Sequence, residues 1–441
     1  MPSMNTAAPV RRARLHHARE IRGWSQEEVA DLIGTTPLNV SRWERGITTP
    51  GPYFRARLCL LFGKSAQELD LAEAIPTWPV YDLALPLQPS TRLVGREHDL
   101  TRLKQQLLAG GITALCGLPG VGKTAVAIEL AHDPDIRAHF RDGILWAALG
   151  PEPSIPTVQS RWGILLGISS TAMASPSDND ARAVALHRAI GSHSLLLVID
   201  DAWHLEDTLA LTAGGKSCAH LVTTRLPGIA TALAGEGTTV IRELGEHEGM
   251  MLLRMLAPRA VDHEEQKVLE LVDAVGGLPL ALTLVGRYLH AQAYTGQPRR
   301  TAAALERLGR AEERLQLREP RGPLDRHSSL LAVPSLSLRS VFAVTDRQLD
   351  NEARAALATL SAFPPKPNSF SEEQALAAGC TREALDLLSD AGLLESAEPG
   401  RYTLHPVVAD YARLSMKECM VYQPRGSPQL LMMGESSTGG K

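Results

Sequence analysis

The sequence contains little cysteine, few aromatic residues and no long apolar run. The five cysteines are odd in number, widely separated and never arranged as C-x-x-C. We therefore expect neither a disulfide framework nor a zinc site. No apolar stretch approaches the roughly 18 residues that span a bilayer. The arginines near the N-terminus precede no apolar segment, so a secretory signal is not indicated. These absences favour a soluble cytoplasmic protein that has no membrane partner.

What is present is typical of a globular protein. Of the 441 residues, 44% are hydrophobic and 21% are charged, which excludes disorder along the whole chain. At about 150 residues per domain, this length corresponds to roughly three domains. The net charge is −4, yet residues 1–72 contain ten Lys and Arg against seven Asp and Glu. A basic N-terminal segment on an acidic chain favours a polyanionic partner for that segment.

Residues 1–72 have the pattern of five short helices, the last two around residues 53–62 and 65–71. Ser25 and Glu28 have the spacing of a capping box at the start of the second helix, and Gly34 ends that helix. Thr36 can cap the third helix, in which Pro37 would take the first position. Two short helices joined by a tight turn containing glycine are typical of a helix-turn-helix domain.

The third helix has two distinct faces. Val40 and Trp43 are expected to point inward, which leaves Leu38, Asn39 and Arg42 on the outer face. The segment WSQEEVADLIGTTPLNVSRWERG resembles the helix-turn-helix of the phage-repressor (XRE) family. That resemblance implies that the outer face enters the major groove of duplex DNA, where Asn39 would pair with adenine and Arg42 with guanine or a phosphate. The alternative is a helix-turn-helix domain that binds only protein.

The rest of the chain divides by its pattern. Residues 73–91 are rich in proline and are expected to form a stiff linker. Residues 92–245 alternate between apolar strands and helices, which predicts a parallel sheet. Residues 246–335 are mainly helical and end in a polar connection, and residues 336–419 contain several helices and one short strand. Residues 420–441 lack periodicity, so we expect a disordered or truncated tail.

The sequence GLPGVGKT, at residues 117–124, has the form G-x-x-x-x-G-K-[ST] between a predicted strand and a predicted helix. The backbone of such a loop wraps a phosphate with its N–H groups, and the start of the helix adds positive potential. We expect Lys123 to contact the β- and γ-phosphates and Thr124 to offer its hydroxyl to Mg²⁺. The loop residues predicted to bind the nucleotide are Gly117, Gly120, Val121, Gly122, Lys123 and Thr124.

A second motif, LLLVIDDAW, predicts a buried strand that ends in two carboxylates. Asp200 would hold Mg²⁺ through water, and Asp201 would orient or activate a hydrolytic water. The alternative is a strand followed by an aspartate-rich turn without a catalytic role.

Five motifs occur in the order that is typical of the NB-ARC family: VGRE, GLPGVGKT, LLLVIDDAW, LVTTR and GLPLA. The resemblance covers residues 92–419. It implies a P-loop nucleotide-binding domain at 92–245, a small helical domain at 246–335 and a winged-helix domain at 336–419. Members of this family include plant resistance proteins, the apoptosome scaffold and bacterial signalling ATPases of the STAND type, which use ATP and ADP with Mg²⁺ as a switch.

The resemblance also assigns roles to single residues. Val94 and Arg96 would contact the adenine, with a surface salt bridge as the alternative for Arg96. Arg225 would sense the γ-phosphate, unless it forms only an ion pair at the strand end. Pro279 would pack on the base or sugar. His405 would contact the β-phosphate of ADP, and the alternative for it is a solvent-exposed histidine ahead of a helix.

Pro406 stands where the family usually has an aspartate beside that histidine, so the hydrogen-bond partners of His405 differ from the family pattern. The whole chain is thus expected to be a nucleotide switch and slow ATPase that regulates transcription through residues 1–72. It would self-associate in the ATP state and respond to a sensor that can lie on another chain. The alternatives are a defence-type scaffold whose helix-turn-helix domain binds protein, and a repressor that binds ADP only structurally.

Overall fold

The computed structural model describes residues 12–48, 50–66, 68–71, 79–88, 92–168, 179–294, 296–320 and 335–421. The chain divides into two units. One comprises Met1–Val80 with Ser160–Asp178, and the other comprises Tyr81–Gln159 with Asn179–Lys441. The architecture is a multidomain one, with an all-α segment, an α/β P-loop domain, further helices and a small antiparallel sheet.

Four helices form the N-terminal segment: α1 (Ala13–Ile21), α2 (Gln26–Ile33), α3 (Pro37–Glu44) and α4 (Pro52–Phe62). The predicted capping box is present, because Ser25 accepts from the N–H of Glu28 while Glu28 accepts from the N–H of Ser25. Thr36 caps α3 and Pro37 begins it. The helices enclose a core that includes Leu15, Ile33, Val40 and Trp43.

The predicted fifth helix is wrong. Residues 65, 66 and 68–71 form turns, although Ser65 and Glu68 exchange the hydrogen bonds of a helix start. Asp70 has a φ of 53°, which is left-handed backbone and cannot continue a right-handed helix. The N–H of Leu71 instead closes the turn on the carbonyl of Ala66 at 2.8 Å.

The α/β region is built on a sheet with the strand order β1-β3-β4-β5-β2-β6. The strands are β1 (Val80–Tyr81), β2 (Gly111–Cys116), β3 (Gly143–Ala148), β4 (Leu195–Ala202), β5 (Ala219–Thr224) and β6 (Thr238–Val240). Strands β2 to β6 run parallel. Four of them match the predicted strands, whereas the pattern did not predict β1 or β6. Because β4, β5 and β2 are neighbours, their carboxyl ends meet at one edge, where ligands bind in such sheets.

Helices flank this sheet and connect its strands. They are α5 (Glu97–Ala109), α6 (Lys123–His132), α7 (Pro134–His139), α8 (Ile155–Leu165), α9 (Asn179–Ile190), α10 (Leu205–Leu209) and α11 (Pro227–Ala234). Helix α6 begins inside the glycine-rich loop and packs against β4 and β5. Its first residue, Lys123, therefore lies at the edge where the strands end.

The next region is helical, as the sequence predicts. It contains α12 (Glu246–Leu256), α13 (Pro258–His263), α14 (Glu265–Ala274), α15 (Pro279–Ala293), α16 (Pro298–Leu308) and α17 (Ala311–Gln316). Helices α12 and α15 approach closely at Gly286, where a Cβ would lie 2.8 Å from the Cβ of Leu256. Two short strands, β7 (Glu319–Pro320) and β8 (Ser335–Leu336), pair antiparallel. The connection predicted between them, residues 321–334, lies outside the described residues.

The last region consists of α18 (Leu338–Asp346), α19 (Asn351–Leu360), β9 (Phe370–Ser371), α20 (Glu372–Ala377), α21 (Arg382–Asp390), β10 (Leu394–Glu398), β11 (Arg401–Leu404) and α22 (Pro406–Val421). Its sheet has the antiparallel order β10-β11-β9. Helices followed by a β10–β11 hairpin are consistent with a winged helix, and a winged-helix domain at residues 336–419 stays a prediction.

Two predicted boundary segments differ from the structure. Helix α22 continues through Val421. The tail was predicted to start at residue 420, two residues too early, and helix ends commonly differ from their predicted positions by this much. Residues 422–441 lie outside the described residues. Within the predicted linker, residues 79–88 are described, and the buried carboxylate of Asp82 accepts from the backbone N–H groups of Ala84 and Trp146. This part of the linker is therefore fastened to β3.

Candidate nucleotide site and recognition helix

The glycines of the 117–124 loop have two structural roles, which are close packing against other segments and open space at the start of α6. Gly117, Gly120 and Gly122 have φ values of 143°, 85° and 101°, which favour glycine. A Cβ on Gly117 would lie 2.4 Å from the carbonyl oxygen of Ile241, and one on Gly120 would lie 3.0 Å from the Cβ of Leu280. A Cβ on Gly122 would meet nothing within 4 Å. The first two glycines allow close packing, and the third leaves open space at the start of α6.

Lys123 is buried within the loop that it closes. Its Nζ donates to the carbonyl oxygens of Gly117 at 2.8 Å and Leu118 at 3.0 Å. Burial, together with the positive charge of Arg225, lowers the pKa of Lys123 to about 7. A bound anion would reverse both effects, since it would supply negative charge to a desolvated ammonium. The lysine, the open loop and the start of α6 fit a phosphate group.

The two residues predicted to hold Mg²⁺ are in contact. The hydroxyl of Thr124 donates to Oδ1 of Asp200 at 2.8 Å, and the hydroxyl of Thr223 donates to the same oxygen at 2.6 Å. These are hard oxygen donors of the kind that Mg²⁺ prefers, and Mg²⁺ usually takes only one or two carboxylates plus phosphate oxygens and water. The described residues contain no group of three or more His, Cys, Asp or Glu that could hold a metal ion. Binding of Mg²⁺ by Thr124 and Asp200 stays a prediction.

Asp201 and Arg225 form a buried ion pair at the same edge. Arg225 Nε lies 3.3 Å from Asp201 Oδ1, and each residue is about 5% exposed or less. Asp201 has a φ of 56°, a conformation that non-glycine residues adopt rarely and often at functional sites. The ion pair that was the alternative for Arg225 is thus present. The roles of Asp201 toward water and of Arg225 toward the γ-phosphate stay predictions.

Arg96 connects the glycine-rich loop by hydrogen bonds to the segment that follows β6. Its guanidinium donates to the carbonyl oxygens of Val121 at 3.1 Å and Arg242 at 2.6 Å, and it pairs with Asp99. Burial lowers the pKa of Arg96. The salt bridge that was the alternative for Arg96 is thus present, but the Arg96 side chain is buried rather than at the surface. Val94 lies two residues before it and is half-buried. Contact of either residue with adenine stays a prediction.

Pro279 begins α15 and is half-buried. The next residue, Leu280, donates its N–H to the carbonyl of Gly120 at 3.1 Å. The GLPLA segment therefore lies directly against the glycine-rich loop. Contact of Pro279 with the base or sugar stays a prediction.

His405 is fully buried, so the alternative of a solvent-exposed histidine is wrong. Its Nδ1 accepts from the N–H of Val407 at 3.2 Å, which leaves Nε2 as the protonated nitrogen, 3.1 Å from the carbonyl of Gly276. Burial lowers the pKa of His405, which favours this neutral form. Pro406 begins α22 beside it. His405 thereby joins β11 and α22 to the segment that precedes GLPLA.

Helix α3 presents its predicted face to solvent. Leu38 is 54% exposed, Arg42 is exposed, and Asn39 is half-buried with its side-chain N–H₂ donating to the hydroxyl of Thr35 at 3.0 Å. On the opposite side, the buried carboxylate of Glu44 accepts from Arg19 at 2.6 Å. The hydrogen bond from Arg19 to Glu44 raises the pKa of Arg19.

Two family models match these two regions. Residues 15–69 match the helix-turn-helix model, and residues 96–262 match the NB-ARC domain. The chain carries an NB-ARC domain. It also carries a helix-turn-helix domain ahead of it.

Curated relatives match a large part of this chain. The chain is 29% identical over 332 residues to the regulatory protein AfsR of Streptomyces griseus, covering 72% of this chain and 32% of that protein. It is 31% identical over 310 residues to AfsR of Streptomyces coelicolor, covering 68% and 29%. A protein of Arabidopsis thaliana named for disease resistance is 28% identical over 225 residues, covering 47% and 26%. The chain thus spans about a third of the length of the curated relatives that it matches.

A solved STAND protein with a tetratricopeptide repeat sensor, from Pyrococcus horikoshii, aligns with 77% of this chain and 44% of its own, at 18% identity and a TM-score of 0.34. Among the described residues, no helix has the length and apolar character needed to cross a membrane.

The NB-ARC site includes contacts that the sequence did not indicate. Arg225 Nη1 donates to the carbonyl of Val341 at 3.1 Å and to the hydroxyl of Thr345 at 3.2 Å, both on α18. Lys366 Nζ lies 3.1 Å from Glu243 and 3.1 Å from Glu395. No local motif marks Val341, Thr345 or Lys366, because each becomes significant only through a partner that is distant in sequence.

Proposed function

We propose that this chain is an ATP- and ADP-dependent switch that regulates transcription through its helix-turn-helix domain. ADP would favour the closed arrangement of the NB-ARC and winged-helix regions, and exchange for ATP would favour opening. Opening would change self-association or the occupancy of DNA. A separate sensor protein could bias the same equilibrium.

The observation that carries the proposal is a continuous set of contacts from the glycine-rich loop to the winged-helix region. The loop carbonyl of Gly120 accepts from Leu280, four residues after Gly276. Gly276 in turn accepts from His405, which lies between β11 and α22. A change in the loop can therefore reach the winged-helix region through directly bonded residues, as a switch requires.

The nucleotide would be held by residues from several elements. Lys123 would bind the β- and γ-phosphates, and the loop glycines with Val121 would surround them with backbone N–H groups. Thr124 and Asp200 would hold Mg²⁺, which neutralises phosphate charge when bound. Val94, Arg96 and Pro279 would contact the base or sugar, and His405 would contact the β-phosphate of ADP.

Turnover would be slow. Asp201 is the candidate for positioning a hydrolytic water, yet its carboxylate is paired with Arg225. Hydrolysis would require this ion pair to rearrange, and that requirement suits a switch that must remain in each state for long enough to signal.

Residues 1–72 would bind duplex DNA through the exposed face of α3. Leu38, Asn39 and Arg42 are the residues proposed to reach the major groove. A bidentate contact between Asn39 and adenine, or between Arg42 and guanine, contributes about 1–3 kcal/mol of discrimination. One N–H of the Asn39 side-chain amide donates to Thr35, which leaves Oδ1 and the second N–H as the groups that would pair with adenine.

The test is selection of bound genomic fragments by the full chain, followed by gel-shift titration of a selected duplex. Affinity should fall steeply with salt, because contacts to phosphate release counterions. Arg42→Ala should weaken binding by about 1–3 kcal/mol. Arg254→Ala, which removes an exposed positive charge from α12, is the matched control and should change the affinity little. Absence of fragment enrichment and of salt dependence would favour the protein-binding scaffold instead.

A further inference from the structure

Arg225 connects the predicted γ-phosphate position to the winged-helix region. The residue follows β5, and its Nε faces Asp201 while its Nη1 is held by α18 at the carbonyl of Val341 and the hydroxyl of Thr345. Thr345 is fully buried and Val341 is 4% exposed. One side chain therefore spans the end of the sheet and the first helix of the winged-helix region.

Packing around Arg225 reinforces this connection. Its guanidinium lies over the ring of Trp203, 5.1 Å from the centroid. Trp203 itself clusters with Val341 and Val344 of α18. On the other side, a Cβ on Gly392 would lie 2.4 Å from the carbonyl oxygen of Arg225, so the turn after α21 touches the backbone there. Arg225 is enclosed by the winged-helix region on two sides.

One part of this packing is incompletely satisfied. The buried indole N–H of Trp203 finds no hydrogen-bond partner among the described residues. A buried donor without a partner weakens the arrangement that contains it. The contact between Trp203 and α18 therefore rests on apolar packing and on Arg225, rather than on hydrogen bonds of the indole.

The charges near Arg225 explain how a nucleotide could compete for it. Arg225 lies close enough to Lys123 to disfavour its positive charge, while Asp200 and Asp201 favour that charge. An additional anion at this edge would attract both cations. A turn of the guanidinium toward such an anion would draw its Nη1 away from Val341 and Thr345.

We propose that Val341 and Thr345 form a dock for Arg225, and that Thr345 is a positioning residue that sets the preference of the site for ADP over ATP. With ADP, the guanidinium stays on α18 and holds the winged-helix region closed. With ATP, the guanidinium leaves the dock for the γ-phosphate, and α18 is released. This inference rests on the proposed function, because it requires that the site bind both nucleotides.

The test compares substitutions of two buried threonines in the full chain. Thr345→Val keeps the volume and removes the hydroxyl that binds Arg225. Thr239→Val is the matched control, because Thr239 is 2% exposed, lies on β6, and its hydroxyl has no partner among the described residues. Thr345→Ser retains a hydroxyl and serves as the conservative variant.

The measurement is the ratio of dissociation constants for fluorescent ADP and a fluorescent, non-hydrolysable ATP analogue. We expect Thr345→Val to shift this ratio toward ATP by about tenfold, the effect of losing one hydrogen bond to a charged group. Thr345→Ser and Thr239→Val should keep the wild-type ratio. Adding Thr345→Val to Arg225→Ala should change the ratio no further, since the hydroxyl acts through the guanidinium.

Two results would overturn the dock. One is a Thr345→Val ratio equal to that of Thr239→Val, and the other is an effect of Thr345→Val that persists in the Arg225→Ala background. Should Thr345→Val not fold, Thr345→Ala and the Arg225→Ala double variant decide the same question. If wild-type protein binds neither nucleotide, the proposed function fails. If it binds both and the ratios do not move, only the dock fails.

Discussion

The nucleotide site and the outer face of α3 are built in opposite ways. Lys123, Arg225 and His405 are buried and bonded to other parts of the protein. Leu38 and Arg42 point into solvent. A ligand at the first site must replace contacts that already exist, so binding there changes the fold around it. A ligand on α3 adds contacts to a surface that is ready to receive them.

This difference indicates that ligand binding at the candidate nucleotide site would be coupled to a rearrangement of the protein, whereas binding at α3 would not. Replacement of internal bonds couples binding to the arrangement of domains, as in the bonds from Arg225 to α18 and from His405 to Gly276. An exposed recognition helix carries little such coupling by itself, and its affinity depends on charge and on base contacts. In the proposed function, regulation of α3 would therefore come from the rest of the chain.

The largest expected effect is on nucleotide binding. Lys123→Ala should abolish measurable binding of ATP and ADP, because the buried ammonium is the positive charge closest to the loop. Calorimetry on the full chain is the measurement, and affinity of the same protein for a selected DNA duplex is the control. Unchanged nucleotide affinity would show that Lys123 does not bind the nucleotide, and the contrast between the buried site and the exposed face of α3 would no longer hold.

A smaller effect is expected on the stability of the helix-turn-helix domain, where Glu44 is buried on the side of α3 opposite its exposed face. Glu44→Ala should destabilise the helix-turn-helix domain by about 3–5 kcal/mol, since it leaves the Arg19 guanidinium without its buried partner. Hydrogen exchange in α1 to α3 of the full chain measures the loss. Glu27→Ala, at an exposed position of α2, should leave exchange unchanged, and equal protection in both variants would contradict the prediction.

His405→Ala probes the coupling directly. Neutral His405 has one N–H, which would turn from Gly276 to the β-phosphate when ADP binds. Loss of this proposed bond to the β-phosphate should speed release of fluorescent ADP about tenfold, as hydrogen bonds to charged groups contribute about 1.5–3 kcal/mol. His220→Ala is the control, because His220 is also buried and also contacts a backbone carbonyl, that of Ala213. Equal release rates in these two variants would reduce His405 to a packing residue.

The smallest expected effect is the uptake of a proton by Lys123 when nucleotide binds. Because the pKa of Lys123 is about 7, this side chain is mostly neutral at pH 8 before nucleotide binds. A bound phosphate favours the ammonium, so binding at pH 8 should take up nearly one proton, and binding at pH 6 should take up none. Calorimetry in buffers of different ionisation enthalpy measures the uptake. Lys123→Arg should show none, and uptake that persists in that variant would assign the proton elsewhere.

The same shift predicts the pH dependence of stability. Lysine in an unfolded chain titrates well above pH 7. Between about pH 7 and that value, the unfolded state binds more protons at this position than the folded state does. The contribution of Lys123 to the free energy of unfolding therefore rises with pH across this window.

Much of the molecule follows from local sequence. The glycine-rich loop, the apolar strands ending in Asp200 and in Thr224, and the capping box of Ser25 and Glu28 depend on residues close together in the chain. Local conformation and burial periodicity determine such features, so the sequence alone predicted them. The predicted fifth helix was wrong because Asp70 adopts a left-handed backbone conformation. The helical spacing of apolar residues does not reveal such a conformation.

The tertiary structure alone decided what the functional side chains touch. Arg225 meets Val341 and Thr345, which are 116 and 120 residues further along the chain. His405 meets Gly276 across 129 residues. Such partners depend on how whole helices and strands pack, and no periodicity or motif in one segment encodes the distance to another. The sequence therefore determined which groups are candidates for binding phosphate or DNA, and packing determined which of them are joined to the region predicted to be a winged helix.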